Sequence, residues 1–300
     1  MRNEISQFLE KQGINRTAFA KMVDINRATV SQYLSGAEVS PAAREKIEEK
    51  YLELSFEEGE NGKMNSVATT RGLLHTRDAQ GVIAICQSCQ DYIGLGMITG
   101  RSGFGKSFAL KFYAKGAKVA YIECNESMTA RDLVKAIERR LSLPHIMGSV
   151  NDRMDNIKEF FNANKGYLLI IDEADKLITK YTQKKAEILR SIFDQAEIGL
   201  VLAGEPALGR MIGTYLPRLA NRVAFKYDLG GLDADEVVSY IAERDFDEKA
   251  SAEMVRRATN DRCGCFRLLS RTMDNVKRMT EDEELVTLEM VQKASSMMMY

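Results

Sequence analysis

From about residue 71 onward the chain alternates short apolar runs with stretches of helical spacing. The apolar runs are Leu95 to Thr99, Lys118 to Glu123, Tyr167 to Asp172 and Ile198 to Ala203. A strand that is apolar on both faces is buried on both, and alternation of such strands with helices predicts βαβ units and a doubly wound parallel sheet. From about Asp233 only helical patterns remain, through EVVSYIAERDF, ASAEMVRRATN and CFRLLSRTMDNVKRM, which predicts a small all-helical subdomain. At the other end, Ile5, Phe8 and Leu9 recur at helical spacing, with helix stops at Gly13 and Gly36. Between the two lies SFEEGENGKMNSVATT, polar, glycine-bearing and without apolar period, hence a linker. The expected organisation is a helical domain over 1–54, a linker over 55–70, an α/β subdomain over 71–232 and a helical subdomain over 233–300.

The stretch ITGRSGFGKSFALKF places a glycine-rich turn between the first apolar strand and a helix. Gly100 to Ser107 fits GxxxxGKS/T, the Walker A pattern. Gly100, Gly103 and Gly105 let the backbone turn tightly and aim successive amides at phosphate oxygens, and the following helix adds its positive N-terminal end. The loop residues Gly100, Arg101, Ser102, Gly103, Phe104, Gly105, Lys106, Ser107 and Phe108 are therefore expected to bind ATP. Lys106 would reach the β- and γ-phosphates, and the Ser107 hydroxyl would ligate Mg2+. GYLLIIDEADKL supplies the second half: Asp172 would hold the metal and Glu173 would polarise an attacking water.

Composition narrows the picture without redirecting it. The 300 residues carry 42 Lys plus Arg against 43 Asp plus Glu, so any contact with nucleic acid must come from local patches. Five cysteines at irregular positions argue for a reducing compartment, and the N-terminal MRNEISQFLEKQG lacks the apolar core of a signal peptide. No apolar stretch is long enough to span a bilayer, so the expected location is the cytoplasm, without membrane partners. The Cys86/Cys89 and Cys263/Cys265 pairs are read as small buried residues rather than zinc ligands, and His75 and His145 are too isolated to form a catalytic pair.

With these residues the chain resembles the AAA+ ATPases over roughly 71–300, and within them the ATPase regulators of DNA transposons, phage-borne ones included. The resemblance implies a P-loop AAA+ domain with a parallel sheet and a C-terminal helical lid. It places IGLVLAGEP at the sensor 1 strand, Arg218 or Arg222 as the arginine finger that completes a neighbouring subunit's site, and Gly264 and Arg267 of GCFRLL at sensor 2. On this reading the catalytic set is Glu173, Lys106, Arg222 and Arg267. One departure stands out: the sensor 1 position, where such proteins carry a neutral polar side chain, is Gly204 followed by Glu205. A carboxylate beside a polyphosphate is repelled unless turned away or paired, so slow hydrolysis is expected until DNA or a transposase stimulates it.

TAFAKMVDINRATVSQYLSG has the form of a repressor-type helix-turn-helix, making the N-terminal unit an all-α DNA-binding domain. Ala20 is small where two helices approach, Asn26 caps the second helix, Val30 and Leu34 face inward, and Asp24 stands where glycine is usual. Arg27, Thr29, Ser31 and Gln32 are the expected base or phosphate contacts. Lys118, Arg131 and Lys135, with Arg139 and Arg140, are further candidates, because this region lines DNA in AAA+ proteins that encircle it. The resemblance implies an oligomer or filament on double-stranded DNA that recruits and activates a transposase in a bacterial host cell. Two other readings stay open: a helicase-loading factor, and a nucleotide-responsive transcriptional repressor.

Overall fold

The computed structural model describes residues 75–144, 148–179, 182–260, 262–280 and 284–298, and parts of 5–51: residues 5, 19, 20, 23, 25–35, 37, 39–41, 43, 44, 46–48, 50 and 51. The expected linker, together with Phe8, Leu9, Gly13, Asp24, Gly36 and His145, lies outside the described residues. The chain divides into two compact units, Met1–Val67 and Ala68–Tyr300.

In the first unit, helix α1 (Arg27–Leu34) starts at Asn26, whose side chain accepts the Ala28 amide at 2.9 Å. That bond satisfies one of the donors every helix start leaves free. Ile5, Phe19, Ala20, Val23, Val30, Tyr33 and Ile47 form the core of the unit. Tyr33, not Leu34, takes the fully inward position; its hydroxyl donates to Glu48, which lets a large ring be buried without orphaning its polar end.

The second unit runs α2 (Arg77–Tyr92), β1 (Leu95–Thr99), α3 (Lys106–Tyr113), β2 (Val119–Glu123), α4 (Ala130–Arg140), α5 (Val150–Ala163), β3 (Tyr167–Asp172), a 3-10 turn (Ala174–Leu177), α6 (Lys184–Gln195), β4 (Ile198–Gly204), α7 (Ala207–Tyr215), α8 (Pro217–Ala220) and β5 (Val223–Asp228). The five strands pair in parallel in the order β2-β3-β4-β1-β5. Successive side chains of a strand point to opposite faces. Leu169, Ile171, Leu200 and Leu202 accordingly pack with α4, α5 and α6, while Leu168, Ile170, Val201 and Ala203 pack with α2 and α3. The sheet is thus covered on both sides, as its uninterrupted apolar runs require.

Four strands coincide with the apolar runs to within a residue at an end. The fifth, VAFKYD, is an edge strand whose residues alternate between half-buried and exposed, so it carries no apolar run to find. The helical subdomain follows as α9 (Ala234–Ile241), α10 (Glu248–Ala258), α11 (Phe266–Met279) and α12 (Leu288–Ser296), around a separate core that includes Val237, Met254, Leu269, Val276 and Val291. Its pattern is not purely helical. Phe246 leaves the helix that EVVSYIAERDF suggests and forms a parallel bridge with Val286.

Candidate functional site

Parallel strands all end on one side of the sheet, and ligands of such sheets sit in the crevice beyond those ends. Here that edge carries Thr99, Asp172, Gly204 and Asp228 as the last residues of β1, β3, β4 and β5. Strand β4 lies between β1 and β3, so the end of β4 separates the glycine-rich loop from the acidic pair.

The loop leaves β1 and enters α3 through two left-handed residues, Gly103 at φ 87° and Gly105 at φ 94°, conformations that a side chain strains. Gly103 is also tightly packed: a Cβ there would stand 2.8 Å from Cys265 Sγ and 3.3 Å from Arg267 Cβ. The loop therefore rests on the start of lid helix α11. Arg267 donates its amide to the Gly103 carbonyl and its guanidinium to Ser102 Oγ, both at 3.1 Å. Arg101 donates to the Arg262 carbonyl and lies over the Phe104 ring. Lys106 is buried, and its ammonium crosses the loop to the Gly100 carbonyl at 2.8 Å. The amides of the first turn of α3, which begins at Lys106 and includes Ser107 and Phe108, have no partner within the helix and form an anion-binding end.

Asp172 is fully buried, with both carboxylate oxygens occupied. Oδ1 accepts the Glu173 amide at 2.9 Å and Oδ2 accepts the Tyr121 hydroxyl at 2.8 Å. Burial, and next the Asp172 charge, push the Tyr121 hydroxyl far above the ordinary phenol range, so it stays a donor. Glu173 occupies left-handed backbone at φ 56°, and its carboxylate pairs with Lys176 at 2.9 Å. The hydrogen bond that Lys176 donates to Glu173 raises its ammonium above the ordinary value. Two protein oxygens, from Ser107 and Asp172, suit Mg2+, which keeps several waters and takes its other ligands from substrate phosphates. No group of three or more His, Cys, Asp or Glu side chains able to hold a metal occurs among the described residues.

Tyr121 and Lys176 join the acidic pair without any motif in the sequence to mark them. Tyr121 reaches Asp172 because β2 pairs with β3, a long-range fact. Lys176 lay three residues beyond Glu173, and that spacing was the available signal.

Arg222 is held within its own chain by a two-point contact with Asp194 of α6, and donates to the Arg218 carbonyl at 3.1 Å. Arg218 is exposed. On α1, Arg27 and Gln32 are exposed, while Thr29 and Ser31 are half-buried. Arg131, Lys135 and Arg139 recur every fourth residue on α4, opposite the buried Leu133, Val134 and Ile137. Lys118 precedes β2, and its ammonium donates to the Lys165 carbonyl at 2.7 Å.

Cys86, Cys89 and Cys124 are buried, and burial pushes the Cys89 and Cys124 thiols up to about 12. The second cysteine pair departs from the buried role read for it. Cys263 is exposed, and Cys265 caps α11, its sulfur accepting the Leu268 amide at 3.4 Å, because the cap must lie at the helix surface to reach those amides.

The parallel five-stranded sheet with helices on both faces and the glycine-rich loop at this edge has the AAA+ P-loop fold. Residues 90–212 match the family described as AAA domain. A "Potential ATP-binding protein" of Staphylococcus aureus is 21% identical over 266 residues, covering 75% of this chain and 95% of that one. Among solved structures, the Aeropyrum pernix ORC2 protein in ADPNP and ADP complexes superposes with a TM-score of 0.58 at 18% identity, covering 73% of this chain and 66% of that chain. The Aeropyrum pernix ORC1 protein in complex with DNA gives 0.55 at 17% identity, covering 73% and 64%. This chain therefore spans slightly less than two thirds of those two proteins, and the likeness concerns the fold. No helix among the described residues is long and apolar enough to cross a membrane.

Proposed function

We propose that the chain is an ATP-hydrolysing, largely sequence-nonspecific DNA-binding protein that assembles on target DNA as an oligomer or filament and recruits and activates a transposase, much as phage Mu transposition protein B does. The observation that carries the reading is the convergence of Lys106, Asp172, Glu173 and Arg267 on one sheet edge and one loop, in a chain that begins with a separate helical unit. A bound triphosphate would take the Lys106 ammonium from the Gly100 carbonyl, and Ser107 and Asp172 would hold Mg2+. The metal would neutralise charge on the phosphates. Glu173 would polarise water once freed from Lys176. Arg267, already on the loop, would bring the lid to the phosphates.

Arg222 fits a role in trans because it is partly exposed, and Asp194 would hold it in place for a neighbouring subunit. The exposed face of α1 and the Arg131, Lys135 and Arg139 stripe would meet DNA phosphates. Hydrolysis would dissolve the assembly, and ATP would favour it only by binding the assembled state more tightly.

Electron microscopy on random-sequence duplex DNA tests the assembly. Filaments are expected with ATP and not with ADP or in Lys106→Ala. Discrete particles at one operator would overturn the proposal in favour of a repressor, and a stable complex with a replicative helicase in favour of a loading factor.

Tyr121→Phe removes a donor from Asp172 while keeping the ring. The Mg2+ concentration for half-maximal binding of a fluorescent ATP analogue should rise about 10-fold, the lower range for residues that orient a metal ligand. An unchanged Mg2+ titration would remove Tyr121 from the site.

A further inference from the structure

The end of β4 shows how this chain manages without a side chain at residue 204. A Cβ on Gly204 would stand 2.2 Å from Asp175 Oδ1 and 3.3 Å from its Cγ, so the carboxylate of Asp175 fills the space a residue 204 side chain would need. That same Oδ1 accepts the Glu205 amide at 3.0 Å. Asp175 belongs to the single 3-10 turn that follows Glu173. Gly204 in turn accepts the Gly100 amide at 3.2 Å and pairs with Thr99. A chain of contacts therefore runs from the glutamate segment through Asp175 to the end of β4 and on to the first residue of the phosphate loop.

We infer that Asp175 is a positioning residue that stands in for the missing polar side chain at position 204. It locks the turn that follows Glu173 to the end of β4, the strand end that lies between the acids and the phosphate loop. The carboxylate that meets the end of β4 is that of Asp175; Glu205 contributes its amide. Residues 175 and 204 then form a compensating pair, because one volume can hold either the carboxylate from residue 175 or a polar side chain from residue 204. This role rests on the hydrolytic reading proposed above.

The test compares the full-length chain with Asp175→Ala, Gly204→Asn and the double variant in three measurements: binding of a fluorescent ATP analogue, steady-state phosphate release, and melting temperature. Each single variant should bind the analogue within about twofold of the parent and lose about 10- to 100-fold in turnover, the scale of small misplacements of a reacting group. Gly204→Asn, which forces two groups into one space, should also melt lower. The double variant should recover turnover to within about threefold of the parent, with a melting temperature above that of Gly204→Asn alone. Parental turnover in Asp175→Ala, or a double variant no better than the poorer single, overturns the role of Asp175 while leaving the ATPase intact. A parent chain that binds no ATP overturns the hydrolytic reading, and the role with it.

Discussion

Glu173→Gln is expected to cut ATP turnover by about 100- to 10,000-fold while leaving nucleotide binding within about twofold, the loss typical for a positioned proton acceptor. The substitution keeps the size of the side chain and its acceptor oxygen, so Asp172 should retain both its hydrogen bonds and the loop its contacts with Arg267. What it removes is the charge that draws a proton from water and that pairs with Lys176. Phosphate release measured beside titration of a fluorescent ATP analogue separates the two effects. With ATP the variant should also form filaments that persist, because in the proposed function hydrolysis would dissolve them. Turnover equal to that of the parent would exclude Glu173 as the proton acceptor and return the assignment to another group at the sheet edge.

The second large effect concerns stability. Arg153 of α5 and Glu138 of α4 form an ion pair at 2.6 Å with side chains only 1% and 5% exposed. Glu138 Oε1 has no hydrogen-bond partner among the described residues, so the carboxylate depends heavily on Arg153. Arg153→Met leaves that carboxylate buried without its cation and should cost about 3–5 kcal/mol. The double variant Glu138→Leu with Arg153→Met removes both charges and should recover most of the loss, since apolar replacement of a buried pair is often neutral or better. Urea unfolding followed by circular dichroism reads both midpoints. A single variant as stable as the parent would show that water or a rearranged partner reaches Glu138. The pair bears on function because α4 also carries the basic stripe, and its loss would loosen the helix that presents Arg131, Lys135 and Arg139.

The glycine-rich loop between strand and helix was legible in the sequence because it is a single contiguous backbone feature. Strand, glycines, lysine and helix follow one another in GRSGFGKS and its flanks, and their chemistry needs no distant partner. The central strands β1, β3 and β4 were legible for a related reason: a strand covered on both faces must be largely apolar, and the edge strand β2, VAYIE, still carries an apolar run. Strand β5 escaped because an edge strand needs only alternation, and VAFKYD, lying just after two conspicuous arginines, gives a weak signal. The cysteine cap of α11 escaped because sulfur is an unusual capping atom.

By itself, then, the sequence determined the local chemistry: which loop can cradle phosphate, which acids end a buried strand and which segments are helical. Tertiary structure decided who meets whom. It inserted β4 between the strands of the loop and of the acids, brought the Tyr121 hydroxyl to Asp172, tied Arg222 to Asp194, and set Asp175 in the space left by Gly204. The reason is physical. A backbone turn or an apolar period is written in neighbouring residues, whereas the order of strands in a sheet, and each contact that follows from it, depends on burial summed over the whole unit.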